Sequence, residues 1–219
     1  MTSLRKRVVV FISGGGSNMM ALVAAAKAQD FPAEIVGVIS DKPDAGGLAK
    51  AAAEGIATYA FARKDYASKE AHEEAIFAAL DALSPDILCL AGYMRLLSGT
   101  FIQRYEGKMI NIHPSLLPLF PGLHTHQRAI DAGMRIAGCT VHFVTEGMDE
   151  GPVIGQAAVP VLSDDTADTL AARVLTVEHQ IYPQALKLFA EGKVRMEGGK
   201  VVRTADASDT TATGAVISA

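Results

Sequence analysis

Tryptophan is absent from the 219 residues, and cysteine occurs only twice, at Cys89 and Cys139. Two isolated thiols exclude a disulfide framework and a four-ligand zinc site. Cys89, set in Ile87-Leu88-Cys89-Leu90-Ala91, reads as a small buried hydrophobe. No apolar run approaches the roughly 20 residues that cross a bilayer, and the first residues lack the apolar core of a secretory signal. The expectation is a cytoplasmic protein with no membrane partner. Basic residues cluster only at Arg5-Lys6-Arg7 and the formal net charge is −4. That balance argues against a non-specific nucleic-acid binder, which neutralises phosphates with a dense basic surface. No charged or Pro-rich linker divides the middle, so residues 1–203 are expected to form a single domain. Residues 204–219, mostly Ala, Thr, Ser and Asp, read as a disordered or loosely attached tail.

What is present is a regular alternation of short apolar runs with Ala-rich amphipathic stretches, the pattern of parallel strands joined by crossover helices. Strands are expected at 8–12, 35–40, 58–61 and 87–91, with helices at 17–29, 47–54 and 68–83. In the second half, strands are expected at 109–112, 140–144 and 153–161 and a helix at 127–132, ended by Gly133. The connection between the last two strands is too short for a helical crossover, so they pair antiparallel. The fold class is therefore α/β, a doubly wound, mostly parallel mixed sheet with a Rossmann-like N-terminal half. Leu170, Val174, Val177, Ile181 and Leu188 keep helical spacing in a long helix over 166–191, with Asp164-Asp165 as its caps and Pro183 inside it. Residues 193–203 read as a hairpin turning at Gly198-Gly199.

Two motifs carry chemistry. Ser13-Gly14-Gly15-Gly16-Ser17-Asn18 follows the first strand and opens the first helix. A glycine run there exposes amide N–H groups at the positive end of a helix dipole, an arrangement that suits a phosphate. It lacks the spacing of the dinucleotide fingerprint and the Lys of the P-loop, so a monophosphate ester is the better ligand. The alternative is a tight turn in which Ser17 or Asn18 caps the helix. The second motif is Met109-Ile110-Asn111-Ile112-His113-Pro114, in which Asn111 and His113 lie two apart on a strand and share a face. His113 falls at the carboxyl end, where ligands collect in open α/β sheets. The pair suits attack on a carbonyl: an amide N–H and an imidazolium can both serve the oxygen on which charge builds. No nucleophilic Ser or Cys stands beside them, which points to direct transfer between two bound substrates. Asp149 is the carboxylate candidate for stabilising a charged imidazole. The same residues could equally be a satisfied structural pair and a turn acid.

Other polar features leave more than one reading open. His124 and His126 in Gly122-Leu123-His124-Thr125-His126, with His113 or His142, invite a metal, but no carboxylate or thiolate completes a ligand spacing. Met94-Arg95-Leu96-Leu97 follows the fourth strand and could wall a pocket for a flat ring or simply pack. Glu178-His179 could be a solvated face or a clamp for a substrate amine or hydroxyl.

Together these residues resemble the glycinamide ribonucleotide formyltransferase family of purine biosynthesis, over roughly residues 8–189. The blocks that carry the resemblance are Gly14-Gly15-Gly16-Ser17-Asn18, Leu90-Ala91-Gly92-Tyr93-Met94-Arg95, Asn111-Ile112-His113-Pro114-Ser115-Leu116-Leu117-Pro118, Pro121-Gly122-Leu123-His124-Thr125-His126 and Asp149-Glu150-Gly151-Pro152-Val153. The resemblance implies a formyltransferase fold and transfer of a formyl group from 10-formyltetrahydrofolate to the amine of 5'-phosphoribosylglycinamide, without a metal. It implies small-molecule substrates only, and a monomer or weak homodimer. Gly16, Ser17 and Asn18 would hold the phosphate, and Glu178 would contact the ribonucleotide. Lys69, Met94, Arg95, Leu96, Leu97 and Asn111, with Thr145, Glu146, Gly147 and Met148, would hold the folate. Asn111 and His113 would stabilise and protonate the tetrahedral oxyanion, with Asp149 supporting the charged ring. Two positions depart from the family pattern: Gly15 stands where Asn is usual, and Lys69 where Arg is common near the folate tail, which keeps the charge but loses the bidentate fork.

Two other functions compete. The first is another folate-using enzyme of this fold. A methionyl-tRNA formyltransferase is expected to need a nucleic-acid domain after residue 200, and a formyltetrahydrofolate hydrolase a regulatory domain before the first strand. The second is a non-catalytic nucleotide-binding module in which Asn111 and His113 serve structure only.

Overall fold

The computed structural model describes residues 5–204. Its strands follow the order β3-β2-β1-β4-β5-β6-β7 in one sheet, with a separate β8-β9 hairpin. The chain divides into two compact units, residues 1–111 and 112–219.

In the first unit, β1 (Lys6–Ile12), β2 (Ala33–Ser40), β3 (Ala57–Ala60) and β4 (Ile87–Leu90) are all parallel, and β5 (Met109–His113) pairs parallel to β4 with its first three residues. β1 is central and runs fully buried from Val8 to Ile12, which is why it reads as an unbroken apolar run rather than an alternation. The crossovers are α1 (Ser17–Ala26), α2 (Gly46–Ala53) and α3 (Lys69–Leu83), with one 3₁₀ turn at Arg63–Asp65. A further helix, α4 (Gly99–Arg104), has no counterpart among the sequence expectations. Six residues are too few to show a helical period. It forms because Ser98 caps it, accepting from Phe101 N at 3.1 Å, and because Phe101 packs on Phe77 with ring centroids 4.8 Å apart.

In the second unit, α5 (Thr125–Asp131) precedes β6 (Ile136–Phe143) and β7 (Val153–Pro160), which pair antiparallel as expected. The 24-residue α6 (Ala167–Ala190) covers a core containing Cys139, Val159, Leu170 and Val174, and Pro183 lies inside the helix without ending it. Its cap differs from expectation. Thr166, not Asp164 or Asp165, is the N-cap and forms a reciprocal box with Thr169. Asp165 instead takes both arms of Arg173 at 2.6 and 2.8 Å, and that guanidinium holds its carboxyl well below the usual carboxylate range. The hairpin of β8 (Val194–Glu197) and β9 (Lys200–Arg203) turns at Gly198-Gly199 as expected. The expected tail lies outside the described residues except Thr204, whose N–H donates to Lys193 O at 2.9 Å.

No helix among the described residues is long and apolar enough to cross a membrane.

Candidate active site

In the first unit, the carboxyl ends of β2, β1 and β4 set three polar loops side by side. The glycine loop follows β1. Gly16 is the N-cap of α1 with φ 68°, and no side chain caps that helix, which removes the reading of Ser17 or Asn18 as the cap. Left-handed φ at a helix start suits glycine, because a Cβ there meets the following backbone. The loop is pinned by α2: Gly47 N donates to Gly14 O at 3.0 Å, and Lys50 Nζ donates to Gly15 O at 2.8 Å. A Cβ on Gly47 would sit 3.1 Å from both Gly14 O and Gly16 Cα. Only glycine allows that approach. Lys50 and Gly47 were not legible as site residues, since neither falls in a motif.

The loop after β4 carries Met94, Arg95, Leu96 and Leu97. Met94 is 65% and Leu96 73% exposed, so these side chains are not core packing. Its start is held firmly. Met94 N donates to Ser13 Oγ at 2.8 Å, Ser13 Oγ donates to Asp41 Oδ1 at 2.5 Å, and Arg95 Nε lies 3.3 Å from Asp41 Oδ2. Ser13 and Asp41 were missed. Only the register reveals them: the parallel pairing Ile12↔Ser40 brings the next residue of each strand into step. Lys69 opens α3 and sits 4.0 Å from the buried Glu73. Asn111 is half-buried on β5 beside Leu90 of β4.

In the second unit, His113 is 6% exposed at the end of β5. Its Nδ1 lies 3.3 Å from Asp149 Oδ2 and its Nε2 lies 3.0 Å from Phe120 O. Both partners are acceptors, so only a ring carrying two N–H groups donates to both. The expected contact of Asp149 with His113 is thus present. Asp149 also accepts from Gly122 N at 2.8 Å, and its Oδ1 lies 3.9 Å from His142 Nε2. His142 differs from His113: its Nδ1 donates to Phe143 O at 2.8 Å, and burial pushes its pKa down although that carbonyl and Asp149 pull it up. His126 is also pushed down, first by burial and then by the charge of His113. Its Nε2 is buried without a hydrogen-bond partner beside an apolar hollow lined by Leu116, Phe120 and Ala129. His124, with φ 58°, is the N-cap of α5 but makes no side-chain cap. Among the described residues no group of three or more His, Cys, Asp or Glu is placed to hold a metal ion.

The segment holding Thr145, Glu146, Gly147, Met148 and Asp149 joins β6 to β7 as irregular chain. Gly151 closes it: a Cβ there would lie 1.7 Å from Phe143 O. Glu178 is 6% exposed on α6, so the solvated-face reading is wrong: α6 turns this position inward with Val174 and Tyr182.

The formyl transferase family matches residues 6–186. Phosphoribosylglycinamide formyltransferase of Escherichia coli is 46% identical over 189 residues, 86% of this chain and 89% of that protein. Trifunctional purine biosynthetic protein adenosine-3 of Bos taurus is 48% identical over 198 residues, and the chain spans only 20% of its length. A solved phosphoribosylglycinamide formyltransferase from Brucella melitensis is 66% identical, covers 98% of this chain and all of that one, and superposes with a TM-score of 0.85. A solved formyltetrahydrofolate deformylase from Pseudomonas putida is 28% identical with a TM-score of 0.82, covering 91% of this chain and 70% of that one.

Proposed function

The chain belongs to the formyl transferase family, and from that premise we propose that it moves a formyl group from 10-formyltetrahydrofolate to the amine of 5'-phosphoribosylglycinamide, in purine biosynthesis. The observation that carries this reading is the His113 ring held between two acceptors, Asp149 and Phe120 O. The amine attacks the formyl carbon, a C–N bond forms, and the carbonyl pair moves to oxygen. The Asn111 amide and the His113 Nε2–H serve that oxyanion, which as a full charge competes with the neutral Phe120 carbonyl for the Nε2 proton. Collapse breaks the bond to N10 of the folate, and the proton lost by the amine ends on N10. Asp149 steadies the positive charge of the ring while His113 gives up and regains its proton. The groups that carry the proton are His113 and Asp149.

The glycine loop, through Gly16, Ser17 and Asn18, takes the ribonucleotide phosphate, with Lys50 supplying nearby positive charge. Glu178 takes a ribonucleotide hydroxyl or amine. Met94, Arg95, Leu96 and Leu97, with Lys69, wall the folate, as do Thr145, Glu146, Gly147 and Met148. The exposed Met94 and Leu96 suit a flat apolar ring. Both substrates are small molecules, no nucleic acid or metal enters the reaction, and the setting is the cytoplasm with the protein a monomer or weak homodimer.

The deciding assay mixes the chain with 10-formyltetrahydrofolate, with and without the ribonucleotide, and follows folate absorbance and the formylated product. Turnover that needs the ribonucleotide supports the transfer. Folate consumption without it supports a deformylase instead, and binding without turnover a nucleotide-binding module. His113→Ala is expected to lower kcat at least about a hundredfold, the scale of general acid catalysis. A kcat within threefold of the parent removes His113 from the chemistry.

A further inference from the structure

We propose that two buried carboxylates, Asp41 and Glu73, are positioning residues that clamp the two ends of the 94–97 loop and so set how tightly the folate is held. The proposal rests on reading that loop as the folate wall.

Asp41 is 8% exposed and Glu73 6% exposed. Burying a carboxylate costs free energy unless it is paired and hydrogen-bonded, so what each is spent on is informative. Both are spent on the same stretch of irregular chain between β4 and α4. At the near end the hydrogen positions follow from chemistry. Met94 N–H can only donate, so the Ser13 hydroxyl accepts from it and its own proton must go to Asp41. The second carboxylate oxygen takes Arg95, the next residue along. One anion thus fixes two consecutive residues, one through a polarised hydroxyl and one directly.

At the far end Glu73, on α3, accepts from Ser98 N at 2.8 Å with one oxygen and from Ser98 Oγ with the other. Ser98 is the residue that caps α4, so Glu73 fixes where the loop stops and the helix begins. Lys69, one turn earlier on α3, stands 4.0 Å from the same carboxylate. Just before the near clamp Tyr93 packs edge-on against Phe11, with ring centroids 5.3 Å apart. Burial raises the Tyr93 pKa, with the charges of Asp41 and Glu73 adding in the same direction and Arg95 opposing them. A loop that exposes Met94 and Leu96 to solvent gains little from burial of its own side chains. Its shape must come from such polar anchors.

The test uses the full chain and steady-state kinetics with both substrates. Asp41→Ala and Glu73→Ala are expected to raise the KM for 10-formyltetrahydrofolate tenfold or more, with kcat within threefold and the ribonucleotide KM within twofold. Asp41→Asn and Glu73→Gln, which keep an acceptor for Ser13 or Ser98, should recover at least half of that change on a logarithmic scale. Ser13→Ala, which removes only the hydroxyl linking Met94 N to Asp41, reads the near clamp if the alanine variants do not fold, and should raise the folate KM at least threefold. An unchanged folate KM in these variants overturns the proposal, as does a general loss in which kcat falls and both KM values rise together with a lowered melting temperature. A parent chain that shows no ribonucleotide-dependent turnover fails the functional reading itself, a distinct result.

Discussion

Replacing Asp149 by Asn isolates one charge with little else disturbed. Asp149 has φ 58°, a left-handed conformation that Asn tolerates as well as any residue except Gly. The side chain keeps its size, and an Asn oxygen can still accept from Gly122 N, now 2.8 Å from Asp149 Oδ2. What disappears is the anion 3.3 Å from His113 Nδ1. At that separation two unit charges attract by about 5 kcal/mol with an effective dielectric of about 20. Desolvation offsets most of this, and hydrogen bonds to charged groups contribute roughly 1.5–3 kcal/mol net. The proposed oxyanion relies on the ring donating at full strength, so that loss falls on the transition state. Each 1.4 kcal/mol is about tenfold, so kcat should fall about 10- to 150-fold, while both KM values stay within threefold. Melting temperature should hold within a few degrees, whereas Asp149→Ala loses both the left-handed preference and the Gly122 bond and should melt lower. The assay is ribonucleotide-dependent formyl transfer at saturating substrates. If Asp149→Asn retains kcat within threefold, the carboxylate does not support the ring during transfer and the argument fails.

Three further outcomes test other parts of the structure. Gly47→Ala crowds Gly14 O and Gly16 Cα at 3.1 Å, and should raise the ribonucleotide KM severalfold without moving the folate KM; equal shifts in both would detach the glycine loop from the phosphate. Arg173→Met removes the partner that depresses the Asp165 pKa. The pair stabilises the fold above the ordinary carboxylate pKa of about 4 and is lost as pH falls toward the depressed folded value, so parent and variant melting temperatures should converge between pH 5 and pH 2; a constant gap would refute this. Burial lowers the His126 pKa, so below about 6.5 the unfolded chain takes up the proton first and the fold loses stability. His126→Gln should therefore lose less melting temperature than the parent between pH 7.5 and 5.5, and identical slopes would show that His126 does not contribute.

The parallel half of the fold was legible because its strands are buried on both faces and its crossover helices alternate with them, as at 8–12 and 68–83. α4 was not, because a capping serine and one aromatic contact made it rather than a period. In the site, Asn111, His113 and Asp149 stood out as polar residues in apolar or glycine-rich settings. Ser13 and Asp41 did not, since a serine or aspartate at a strand end is ordinary until the register shows which neighbours it meets. The cap of α6 was expected one or two residues early because an aspartate before a helix suits both capping and pairing, and only Arg173, two turns into the helix, decides between them.

Backbone conformation adds a feature of the second unit that composition hides. The described non-glycine residues with positive φ are Ser84, Phe120, His124 and Asp149, and three of the four surround the His113 ring or the turn that follows it. For Phe120 and His124 the left-handed conformation costs on the order of 1–2 kcal/mol each, so something must over-determine it. The restraints are the polar contacts of the site itself. Phe120 O faces His113 Nε2, Gly122 N is held by Asp149, and Arg128 donates to Pro121 O and Leu123 O while its guanidinium lies 5.4 Å over the Phe120 ring. The imidazole is thus oriented by a segment that is itself oriented by the imidazole's carboxylate. When the proposed oxyanion displaces Phe120 O from His113, one restraint on a strained residue is lost while Arg128 and Asp149 keep the rest. On the proposed mechanism, strain at Phe120 offsets part of the cost of freeing Nε2, and the carbonyl holds the proton in place until substrate arrives.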